Sequence, residues 1–230
     1  MLALKQGQSL TSSAPTRWLP SYESRCDLWL RKATAQTYAD GNVSKWTDVS
    51  GSLTTYEFAQ NTISEQPEFI GTDGSVKFVA STTDNLLSAT QLSLTGVFTI
   101  GIRIYIDAIG GIILGDNNTA GEFIKIFSSN KIRIRIDNAT AVDLQLDSGV
   151  LNGAWANLIL TRDSSNVITL HWNGVAQADT ETLSGTADID AIGVRSTDLN
   201  PLDASIKEIQ IFSATNAGLT ARVNTRLSSL

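Results

Sequence analysis

Apolar and polar residues alternate with a period of two through much of this chain. In Phe98–Ile106, the residues Phe98, Ile100, Ile102, Ile104 and Ile106 fall on one side, and Thr99, Gly101, Arg103 and Tyr105 on the other. That pattern predicts a half-buried strand. Lys131–Ile136 repeats it, with Ile132, Ile134 and Ile136 inward and Arg133 and Arg135 outward. Ala154–Arg162 places Ala156, Leu158 and Leu160 on one face and Asn157, Ile159 and Thr161 on the other. A polar turn, Asp163-Ser-Ser-Asn166, leads into the β-branched and aromatic run Val167–Trp172. Asn173-Gly174 then signals a hairpin, because a type I′ turn needs positive φ at both central positions. Three antiparallel strands joined this tightly cannot hide both faces of their sheet, so a second layer must cover one of them. The expectation is a β-sandwich.

Shorter runs add strands at Asp27–Leu30, around Val43 and Trp46, at Ile112–Leu114, Phe123–Phe127 and Ala141–Leu146, and at Ile189–Val194 and Ile206–Phe212. Near the end the period changes. Leu219, Val223 and Leu227 recur every four residues, which predicts a short C-terminal helix with Thr220 as its cap. Residues 1–24 show no sustained period and are rich in Ser, Thr, Gln and Pro. The domain reading is therefore an N-terminal arm over 1–24 and one sandwich over 25–230.

Composition narrows the classes. The chain has 230 residues, 42 % hydrophobic and 17 % charged, which suits one large sandwich. No apolar run approaches the ~20 residues of a membrane helix, and MLALKQGQSLTSS makes a poor secretory signal. A formal charge of −6 argues against nucleic acid as a partner. The lone Cys26 excludes an internal disulfide and reads as an inert strand residue. The sole His171 lacks any partner that spacing would single out for catalysis.

The centre of the chain resembles laminin-G-like domains of the concanavalin-A-like jelly-roll group. The matching positions are Trp155, Thr161, Arg162, Trp172, Asn173 and Gly174, with Trp29, Trp46, Asp48, Ser50 and Gly51 earlier. Where that group usually has Leu-Asp-Ala after the first Trp, this chain has Leu30-Arg31-Lys32. The resemblance implies an all-β fold: a two-sheet antiparallel jelly-roll sandwich, here with an extended N-terminal arm and a short C-terminal helix. Its members bind sugars, proteins or metals, hydrolyse glycans or build surfaces, so fold alone does not fix function.

Four sets of residues carry candidate chemistry. The glucanase motif Glu-x-Asp-x-x-Glu is absent, and Asp188 with Asp190 offers a same-face pair without a third acid, so no enzyme is expected. Arg103, Tyr105, Arg133 and Arg135 point outward and suit a glycan-binding face, or equally a charged face that keeps a sheet soluble. Asp116, Asn117, Asn118 and Glu122 cluster in one loop; they would suit calcium, or simply serve turns. No other cofactor is indicated. Arg17, Trp18 and Leu19 lie in an arm whose residues 1–25 carry +2, from Lys5, Arg17 and Arg25 against Glu23. That arm reads either as a loose terminus or as an anchor on a neighbouring subunit, with Trp18 buried there.

The overall expectation is a non-enzymatic structural protein of a bacteriophage virion, in the head decoration or the tail. In that reading it sits at the particle surface, with other virion proteins and copies of itself as partners. The alternative is an extracellular carbohydrate-binding module or adhesin, using the Arg/Tyr face or the calcium loop.

Overall fold

The computed structural model describes residues 17–37, 40–119, 121–196 and 200–230. The strands are β1 (Cys26–Arg31), β2 (Ala35–Thr37), β3 (Val43–Thr47), β4 (Glu57–Ala59), β5 (Glu68–Ile70) and β6 (Ser75–Phe78). Next come β7 (Leu86–Leu94), β8 (Phe98–Ile106), β9 (Ile112–Gly115), β10 (Phe123–Ser128), β11 (Lys131–Arg135) and β12 (Val142–Gln145). The last are β13 (Trp155–Arg162), β14 (Val167–Trp172), β15 (Val175–Thr182), β16 (Ala187–Ile192) and β17 (Ala204–Phe212), followed by helix α1 (Ala217–Ser228). They form two antiparallel sheets. The first runs β15-β14-β13-β8-β17-β6-β5, with β1 also paired to β17; the second runs β12-β11-β10-β9-β16-β7-β4-β3-β2. This is the expected jelly-roll sandwich.

The alternation sets the interior. Leu158 pairs with Ile102 and Leu160 with Ile100, and these side chains meet Ile124, Ile126, Ile132 and Ile134 of the second sheet in one core. Asn173 and Gly174 hold φ of 51° and 84°, as a type I′ turn requires. Polar fasteners close the edges. Asp48 accepts from the backbone N–H groups of Trp29 and Ser50, both at 2.8 Å, tying the loop after β3 to β1. Arg162 is fully buried and donates to the carbonyls of Gly96, Gly185 and Leu94 at 2.7, 2.8 and 2.9 Å. Its guanidinium thus joins β13 to the turns at the ends of β7 and β15.

Helix α1 covers the outer face of the first sheet. Leu219, Val223 and Leu227 pack on Cys26, Trp29, Ile159 and Phe212. Gly101 lies directly beneath: a Cβ there would come within 2.4 Å of Val223 Cγ1. The helix cap differs from the expected one. Asn216 Oδ1 accepts from the Leu219 N–H at 2.8 Å, while Thr220 sits within the first turn and its hydroxyl donates to the Asn216 carbonyl at 3.1 Å. Asn216 wins because its side chain lies outside the helix, where the free N–H groups point.

Candidate functional site

The one α-helix among the described residues, α1, lies over the first sheet, not over the outer face of the second. Its composition follows from alternation. On β10, Ile124 and Ile126 turn inward, which leaves Phe123, Lys125 and Phe127 outward, with Phe127 38 % exposed. On β11, Arg133 and Arg135 face the same way, paired with Lys125 and Phe123 respectively. On β12, Asp143 stands opposite Arg133.

The side chains then organise each other. The Arg133 guanidinium carbon lies 3.3 Å from the Phe127 ring centroid. Its Nε and Nη2 donate to the two carboxylate oxygens of Asp143 at 2.6 and 2.9 Å. These bonds hold the Asp143 carboxyl below its usual range and Arg133 above its own. Lys125 donates to Asn200 Oδ1 at 2.7 Å; burial, then Arg195 and Arg133, lowers its pKa. The Arg195 guanidinium carbon sits 5.3 Å from the centroid of Phe123. Two aromatic rings, several cations and a fixed carboxylate therefore share one face. Such a surface can stack on an apolar sugar face while offering planar donors and acceptors to hydroxyl or acidic groups.

The predicted residues are only partly brought together. Arg133 and Arg135 belong to this face, although Arg135 turns to the carbonyls of Ala139 and Asn138 at 2.7 and 3.1 Å. Arg103 and Tyr105 do not join them, because β8 lies in the first sheet. There Arg103 donates to Asn157 Oδ1 at 2.9 Å, and Tyr105 meets Trp155 edge-on at 5.8 Å. The single Arg/Tyr face is thus corrected to two faces on opposite sheets. Phe127, Asp143, Lys125, Asn200 and Arg195 went unread; Asp143 was within reach from the pairing of Lys131–Ile136 with Ala141–Leu146, whereas the others depend on long-range placement.

The loop acids are engaged within the chain. Asp116 and Glu122 are buried; Asp116 Oδ1 accepts from the Asn118 N–H at 2.7 Å and Glu122 Oε2 from the Asp188 N–H at 2.8 Å. Asn117 donates its N–H to Asp190, and Asn118 Nδ2 donates to Asp190 at 2.6 Å. Burial, with nearby carboxylates adding to it, raises Glu122 and Asp190. Among the described residues no group of three or more His, Cys, Asp or Glu is arranged to hold a metal ion.

The expected anchor is directed onto its own chain. Trp18 packs at a tilt against Phe212, ring centroids 6.3 Å apart, and donates its indole N–H to Glu23 at 2.9 Å, while Leu19 joins the cluster under α1. Arg17 bonds the Ser229 hydroxyl. The rest of the arm, residues 1–16, lies outside the described residues. Cys26 is buried with its thiol pushed well up by burial, and burial lowers His171. Cys26 packs in the cluster under α1, while His171 is half-buried with Nε2 3.4 Å from the Thr161 hydroxyl.

A model of the concanavalin A-like lectin/glucanases superfamily matches residues 80–216. The chain belongs to this superfamily. No curated protein matches the chain in sequence. Among solved structures, this superfamily member is similar to the binding domain of Paraclostridial Mosquitocidal Protein 1, at 15 % identity and a TM-score of 0.55, over 92 % of this chain and 53 % of that one. It is similar to the receptor binding domain of botulinum neurotoxin type G, at 18 % identity and a TM-score of 0.57, over 90 % and 51 %. It is also similar to the botulinum neurotoxin serotype D ligand binding domain in complex with N-acetylneuraminic acid, at 15 % and 0.58, over 89 % and 51 %. The chain spans about half the length of these domains. At such identities the shared property is the fold.

Proposed function

We propose that this protein is a non-enzymatic carbohydrate-binding domain that takes an acidic glycan on the outer face of its second sheet. The observation that carries the reading is Arg133 lying flat on the half-exposed Phe127 while gripping Asp143 with both prongs. An Arg held this way has already lost most of its rotamer freedom, so a ligand pays less to engage it. Lys125, Arg195 and Arg135 surround it and favour a carboxylate- or sulfate-bearing sugar. The serotype D domain, of similar fold, is described in complex with an acidic sugar, which supports the class of ligand but gives no position for it.

Hydrolysis is a poorer reading, since Asp190 is tied to Asn117 and Asn118 and Asp188 bonds Ser93. Attachment to a particle through the arm is also the weaker reading, because Trp18 is used within the chain. A glycan array spanning neutral, sialylated, uronic and sulfated oligosaccharides tests the proposal. Acidic glycans should bind the native protein, and Phe127→Ala and Arg133→Ala should lose them. Silence across the array, or binding indifferent to both variants, would remove the reading.

A further inference from the structure

A second cationic site lies on the opposite side of the molecule. We infer that the pocket beneath the C-terminal end of α1 binds a sulfate- or phosphate-bearing ligand, independently of the glycan face. The cavity measures about 340 Å³ and is lined by Arg17, Arg31, Lys32, Lys207 and Arg226, with the side chains of Asp73 and Glu208 and the terminal carboxylate of Leu230 beside them. In a protein of net charge −6, that local surplus of cations stands out.

The two acids do not balance it. Glu208 is taken up by Arg226, which contacts both of its oxygens at 3.0 and 2.7 Å. Asp73 Oδ1 accepts from the N–H and hydroxyl of Ser75 at 3.0 and 2.7 Å. Arg31 and Lys32 have no carboxylate hydrogen-bonded or ion-paired to them among the described residues. Arg31 lies over the Trp29 ring at 4.7 Å, and its Nε is enclosed with no hydrogen-bond partner among the described residues. An enclosed guanidinium N–H without a partner is costly, and a bound oxyanion would satisfy it. Lys207 donates to the terminal carboxylate of Leu230 at 2.9 Å and sits 4.5 Å above the Trp155 ring, so its ammonium is paired and held at the rim. The carbonyl end of α1 adds roughly half a negative charge there and Asp73 a full one, together less than Arg17, Arg31 and Lys32 supply. Guanidinium forks beside ammonium groups match a tetrahedral oxyanion, and 340 Å³ leaves room for the sugar or other small group that bears it.

Calorimetric titration of the full chain at low ionic strength with inorganic sulfate, galactose 6-sulfate and galactose tests this. Both sulfates should bind saturably and galactose should not. Lys32→Glu should weaken sulfate binding about tenfold or more, and added NaCl should weaken it further. Tighter binding of the sugar sulfate would point to the ester, and equal binding to the free anion; both support the pocket. Should Lys32→Glu lose its circular-dichroism signature, Lys207→Gln provides the same readout. Equal affinity in the native and variant proteins, or no saturable binding of either sulfate, would overturn the inference.

Discussion

Arg226 of α1 and Glu208 of β17 form a two-pronged ion pair with N–O distances of 3.0 and 2.7 Å, and Glu208 is only 1 % exposed. Gln210 adds a third bond to the same carboxylate at 2.7 Å. This pair pins the last turn of the helix to the sheet it covers. Removing one partner strands a buried charge, whereas replacing both with apolar groups does not. Glu208→Ala should therefore cost about 3–5 kcal/mol in urea unfolding. The double variant Glu208→Leu/Arg226→Met should recover most of that loss.

The close approach of α1 to the sheet depends on Gly101. A Val at this position would push its side chain against Val223 and Leu227. Overpacking of this kind costs typically 1–3 kcal/mol, a fall in Tm of roughly 2–4 °C for each kcal/mol in a chain this long. Adding Val223→Ala should return part of the loss, and thermal unfolding by circular dichroism would show whether it does.

Arg162 satisfies three carbonyls with one side chain, and that of Leu94 is buried. Arg162→Met fits the space but leaves Gly96, Gly185 and Leu94 without those donors, and the buried Leu94 carbonyl left unpaired costs about 1–3 kcal/mol. The midpoint of urea unfolding should fall accordingly. Arg162→Lys should be intermediate, since a single ammonium cannot reach all three in the same plane.

Glu122 gives stability a pH dependence. Burial first, then Asp188, Asp116 and Asp137, raises its pKa in the folded state, so the folded protein holds this proton more tightly than the unfolded chain. Its effect is most favourable below the ordinary carboxyl pKa and becomes unfavourable as pH rises through the raised value. Glu122→Gln keeps an acceptor for the Asp188 N–H and removes the charge. It should raise Tm at neutral pH and flatten the profile between neutral pH and the carboxyl range. An unchanged slope would contradict the assignment.

Much of this architecture can be read along the chain, for local reasons. Phe98–Ile106 alternates without a break, and Asn173-Gly174 fixes its own turn. β7 escapes because polar Ser88 takes a buried position and Ala89 and Thr90 are both exposed; the Ser88 hydroxyl accepts from the Thr90 N–H, and the alternation stutters there. The outward orientation of Arg103, Arg133 and Arg135 is legible, but their sheet is not. β8 and β11 both read as Ile-Arg-Ile, and only long-range pairing separates them. The same limit applies to Trp18, whose partner Phe212 lies at the far end of the chain.

The glycan face is most directly tested by following backbone amide chemical shifts while N-acetylneuraminic acid-bearing oligosaccharide is added. The expected result is saturable shifts concentrated in β10, β11 and β12, around Phe127, Arg133 and Asp143, and their loss in Phe127→Ala. Shifts confined to the α1 side of the molecule, or none at saturating ligand, would contradict it.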